Sequence, residues 1–161
     1  MWDLDTNQRL KDWYDFRKKL GREALPQACV KVAKLWGTAP FVNNYLDPGD
    51  PESWPDPWML ISENRYCDLT IALGMFYTLA LTDLHTDLEI KVLYDEQKRE
   101  SINIVVVNSE YMLNLHPSEI VNKSNHQLQY PVRYSYNAWD LHVANDYEFV
   151  GPVKYSTLCN L

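Results

Sequence analysis

Apolar positions recur at helical spacing at the start of the chain. Leu10, Trp13, Tyr14 and Leu20, joined by Phe16, fall near one stripe of a helix over 6–20. Asp5 or Thr6 caps its start, and Gly21 stands past its end. Lys18 and Lys19 sit in the last turn, where cations offset the helix dipole. Ala28, Cys29, Val32, Leu35 and Trp36 form the apolar face of a second helix over 25–36. Pro26 fits its first turn and Gly37 its end. Together they predict a helical hairpin over 1–37.

The pattern then breaks. Residues 38–57 hold Pro40, Pro48, Pro51, Pro55 and Pro57 among Asp47, Asp50, Glu52 and Asp56. Proline fixes φ and removes amide donors, so an extended, ordered connection is expected. Phe41, Tyr45, Trp54 and Trp58 can anchor it. The four acids lack EF-hand spacing, so no calcium loop is read. Asp56-Pro57 is a cap followed by a first-turn proline, which starts a short helix over 58–62. A helix over 66–81 is apolar on every side, from Cys67 through Leu81. Such a helix is buried, and it is taken as the centre of the fold.

Beyond it the period changes to two. Leu88, Ile90, Val92 and Tyr94 alternate in a strand over 88–94. Residues 102–107 are apolar enough for a central strand, and 111–115 return antiparallel after the turn at Asn108-Ser109-Glu110. One helical turn is expected over 117–121. Further strands are expected near 132–136 and 147–153. Helices first and an antiparallel meander after make an α+β domain over 1–161, its core in 58–161: an N-terminal helical hairpin, then a buried central helix packed on an antiparallel sheet.

Composition narrows the function. With 161 residues, 46% hydrophobic and 23% charged, the chain is one globular domain that needs no metal or disulfide to fold. No apolar run reaches the roughly 18 residues of a membrane span, and 1–5 lack the features of a signal peptide. The net charge is −7, so neither nucleic acid nor membrane is expected as a partner. Residues 1–40 carry eight basic and five acidic side chains, net +3, and the rest is −10. Cys29, Cys67 and Cys159 make an odd number with no CxxC. That pattern implies no zinc site and a reducing compartment. No phosphate-binding glycine loop, nucleophile elbow or metalloprotease motif occurs, and no cofactor or metal is expected.

Cys67 is the most suggestive residue. It opens the central helix, where the positive end of the dipole favours a thiolate. Free Cys is also a common core residue. The order of a Cys-initiated helix and an antiparallel meander resembles the transglutaminase-like (papain-like) superfamily. That resemblance implies a nucleophilic Cys at Cys67, a His position at Asn103 or nearby, and an Asp position at Asn114. Asn cannot take a proton from a thiol, so the resemblance implies a catalytically degenerate core, leaning away from an enzyme. His116 is the nearest candidate for a substitute base. His85 falls in a polar turn at the far end of the central helix, and His126 and His142 read as surface residues.

The runs Tyr45-Leu46-Asp47-Pro48, Trp54-Pro55-Asp56-Pro57-Trp58 and Tyr66-Cys67-Asp68-Leu69 through Ala72-Leu73-Gly74-Met75-Phe76-Tyr77-Thr78-Leu79 are similar to small proteins of contractile-tailed bacteriophages. This second resemblance implies a structural or assembly protein of the tail, baseplate or neck. It would be located in the virion after assembly in the host cytoplasm, docked to other phage proteins and to copies of itself. Tyr45, Trp54 and Trp58 on one side and Arg17, Lys18 and Lys19 on the other are the expected docking residues. Two alternatives stand beside it: a cysteine peptidase or acyl-transferase using Cys67, and a soluble inhibitor of a host protein.

Overall fold

A computed structural model describes residues 1–43, 45–125 and 128–154. Four α-helices precede five strands. The first, α1 (Thr6–Leu20), begins where the Asp5 carboxylate accepts from Gln8 N at 2.9 Å, filling an orphan donor of its first turn. Helix α2 (Leu25–Trp36) follows. Helix α3 (Pro57–Glu63) is capped by Asp56, whose carboxylate accepts from Met59 N at 2.8 Å. Asn64 ends it in the left-handed region, at φ 50.

Helix α4 (Asp68–Ala80) is the hub. All its residues are buried except Asp68 and Ile71, which are half-buried. It starts two residues later than the apolar pattern predicts. Tyr66 is still extended: it bridges to Phe41, and its N–H donates to Pro40 O at 2.9 Å. Cys67 is therefore the cap.

Helix α1 lies against α3 and α2 against α4, and both α1 and α2 are tied to α4 through one hydroxyl. Trp13 Nε1 of α1 donates to Thr78 Oγ1 at 3.0 Å, and Trp36 Nε1 of α2 donates to the same atom at 2.9 Å. Thr78 in turn donates to Gly74 O at 2.6 Å. One donor and two acceptor sites are all a hydroxyl offers, and here all three are used. The Trp36 ring lies on Gly74: a Cβ there would meet the ring at 2.2 Å. Both helices join the core that α4 shares with the sheet.

The strands are β1 (Leu88–Asp95), β2 (Glu100–Val107), β3 (Tyr111–Leu113), β4 (Ile120–Asn122) and β5 (Val132–Asn137). The sheet is antiparallel in the order β4-β3-β2-β1-β5. Leu88 pairs with Val107, Ile90 with Val105 and Val92 with Asn103. Alternation sends Leu88, Ile90, Val105 and Val107 to the core with α4. Leu93, Ile104, Val106 and Met112 form a second cluster, against which Leu128 and Tyr130 pack.

Three expectations need correction. The helical turn expected over 117–121 is instead the approach to β4. Ser118 turns the chain at φ 60, and residues 120–122 then pair with β3, filling its open edge. The strand over 111–115 stops at Leu113 because Asn114 is left-handed, at φ 67. The strand expected over 147–153 reduces to one bridge, Val143 to Phe149. Phe149 packs edge-on against Trp58 and Tyr77 instead of extending the sheet.

Candidate functional site

The central feature lies where the start of α4 meets β2 and the end of β3. Cys67 caps the helix and is fully buried, at 0% exposure. Its N–H donates to Thr70 Oγ1 at 2.8 Å, and that hydroxyl lies 3.5 Å from Cys67 Sγ. Asp68 occupies the first helical position, where the dipole favours a carboxylate.

Two amides converge on that carboxylate. Asn103 shares the α4-facing register of Val105 and Val107, which brings it to the helix start. Its Nδ2 donates to Asp68 Oδ2 at 2.8 Å, and its backbone N–H donates to the same oxygen at 3.2 Å. Asn114 Nδ2 donates to Asp68 Oδ1 at 3.1 Å and to Asn103 O at 2.8 Å. The left-handed backbone of Asn114 accompanies this arrangement, and Asn tolerates that region better than most residues. Burial raises the Asp68 carboxyl above its ordinary value, against the opposing pull of the Asn103 and Asn114 hydrogen bonds. Asn103 is 3% exposed, and its Oδ1 has no hydrogen-bond partner among the described residues.

The structure thus gathers Asn103 and Asn114 around the residue after Cys67. Asp68 is the member that sequence reasoning missed. A carboxylate at the first position of an otherwise apolar helix was the available signal. His116 is exposed on the turn beyond Asn114, where its carbonyl accepts from Glu119 N at 3.4 Å. His126 and Cys159 lie outside the described residues. His85 bonds to the Tyr147 hydroxyl, and His142 Nε2 lies 3.2 Å from Glu52 Oε1.

The expected docking residues are scattered. Trp54 is 2% exposed: its Nε1 donates to Asp47 O at 2.9 Å and its ring meets Tyr136 edge-on. It is a core anchor of the proline-rich connection and has no surface for a partner. Trp58 is half-buried against Phe149. Tyr45 is 39% exposed and donates to Arg65 O at 3.3 Å, near the Cys67 end of α4. Lys18 and Lys19 are exposed at the end of α1, and Arg17 is half-buried over the Trp13 ring.

Chemically, the cluster holds a carboxylate by neutral amides. It can order the helix start, the strand and the loop against one another. Amides cannot shuttle a proton, which thiol activation requires.

No family model matches the chain, and no curated protein matches it. Solved structures do. Legionella pneumophila LapG superposes with a TM-score of 0.65 at 17% identity, covering 83% of this chain and 75% of that one. Its calcium-bound form gives 0.66 at 16% identity, over 84% and 78%. Its EGTA-treated form gives 0.65 at 16%, over 83% and 74%. Among the described residues, no three His, Cys, Asp or Glu side chains are gathered to hold a metal ion. The chain is an α+β domain with the transglutaminase-like fold that LapG also has.

Proposed function

We propose that this chain is a catalytically degenerate transglutaminase-like domain that acts by binding. The Asp68–Asn103–Asn114 cluster carries this reading. If Asn103 and Asn114 stand at the family's His and Asp positions, amides occupy both, and a half-buried carboxylate holds them. The shape of the site is kept while the histidine that would take the thiol's proton is gone. A virion is one setting for such a module, but the likeness to LapG lends that setting no support.

The cysteine peptidase or acyl-transferase reading is the one the fold likeness backs better, and Cys67 at a helix cap favours it. The two readings separate on the thiol. We expect Cys67 in the native chain to resist iodoacetamide between pH 6 and pH 9 and to react only on unfolding, read by mass spectrometry. Fast native alkylation well below the roughly 8.5 of a free thiol would reverse the ranking. So would an esterase or peptidase activity lost in a folded Cys67→Ala variant.

A further inference from the structure

A second site stands about 20 Å from Cys67, at the opposite end of the 13-residue α4. Here the ends of α1 and α4 converge on a cleft of about 250 Å³, lined by Tyr14, Arg17, Lys18, Arg22, Thr82 and Asp83, among others. Three cations face one carboxylate in a chain whose net charge is −7.

Arg17 is the informative residue. Its guanidinium lies 4.1 Å from the centre of the Trp13 ring, which fixes its plane. Its Nη1 donates to Leu81 O at 3.3 Å, just past the end of α4. That bond answers the carbonyl end of α4, which has no basic residue in its own last turn. It uses one of five N–H donors. The Nε is buried, with no partner among the described residues. Among the described residues, no carboxylate lies within 4.0 Å of Arg17, Lys18 or Arg22. Lys18 Nζ is held 5.5 Å from the Tyr14 ring, at the same rim. Burial lowers the Arg17 pKa to about 10. A half-buried guanidinium with no carboxylate in contact leaves charge and donors for a group outside the chain to meet.

We propose that this cleft binds an oxyanion, a phosphate or a carboxylate, between the Arg17 guanidinium and the side chains of Lys18 and Arg22. The planar fork of Arg17 suits two-point contact with either group. Lys18 and Arg22 supply charge from the rim. This site is independent of the Cys67 cluster, so neither reading stands or falls with the other.

The test uses the full chain and two probes, inorganic phosphate and acetate, each titrated at constant ionic strength with chloride as the balancing ion. Proton–nitrogen correlation spectra report the backbone amides and the Arg17 Nε–H. We expect the Arg17 Nε–H signal and the amides of Lys18, Arg22 and Thr82 to shift saturably. The Lys18→Ala/Arg22→Ala double variant changes only exposed side chains and should keep its fold. It should bind at least tenfold more weakly. Saturation by phosphate supports a phosphate ligand, and saturation by acetate alone supports a carboxylate. Linear shifts with both probes, or saturation unchanged in the double variant, overturn the proposal.

Discussion

The attachment of α1 and α2 to α4 rests on Thr78, and Thr78→Val tests it. Valine keeps the shape of threonine and removes the hydroxyl. Trp13 Nε1 and Trp36 Nε1 would then lose the acceptor they share at 3.0 and 2.9 Å. Both indoles are buried, at 1% and 0% exposure, so water cannot replace it. Leaving a buried donor unpaired costs about 1–3 kcal/mol, so the pair should lose about 2–6 kcal/mol. That is a large part of the roughly 5–15 kcal/mol that holds a domain folded. Urea unfolding followed by tryptophan fluorescence and circular dichroism should show a lower midpoint with an unchanged m-value. Thr78→Ser is the control. It keeps the hydroxyl and loses one methyl, worth about 1 kcal/mol. A Thr78→Val variant within about 0.5 kcal/mol of the parent, or no less stable than Thr78→Ser, would refute the shared-hydroxyl account.

Two further predictions follow from buried groups. Asn103→Asp replaces an N–H donor 2.8 Å from Asp68 Oδ2 with a second carboxylate. It should destabilise the fold by about 3 kcal/mol at pH 7, and the loss should shrink below about pH 5 as one carboxyl takes a proton. An equal loss at pH 4 and pH 7, in parallel urea titrations, would show that charge is not the cause. Burial pushes the Cys29 thiol up to about 12 and raises the phenols of Tyr66 and Tyr77. These groups lose protons first in the unfolded chain, so their contribution is intact below about pH 9 and is lost as pH rises toward 12. The melting temperature should hold between pH 7 and 9 and then fall. A rise across that alkaline range would contradict the raised values.

The sequence alone determined the local elements and the class of fold. Asp5, Asp56, Pro26 and Gly37 punctuate helices whose ends the structure places at or within a residue of those positions. The all-round apolar run identifies α4 as the buried helix, period-two alternation gives β1, and a short apolar run gives β2. These features are short-range: a cap, a turn or a stripe acts within a few residues. Cys67, Asn103 and Asn114 were singled out in the sequence through a resemblance of element order, and the fold brings both amides to the residue after Cys67. Tertiary structure decided the rest. Whether a tryptophan is core or surface depends on what covers it, and Trp54 is covered by Tyr136, far away in sequence. Pairing with an open edge converted 120–122 into β4, because unmet backbone groups on β3 outweighed local turn chemistry. Asp68, Thr78 and Arg17 gained their roles from partners 35 to 65 residues away. Such hydrogen bonds leave no periodic trace along the chain, since each depends on how separate elements pack together.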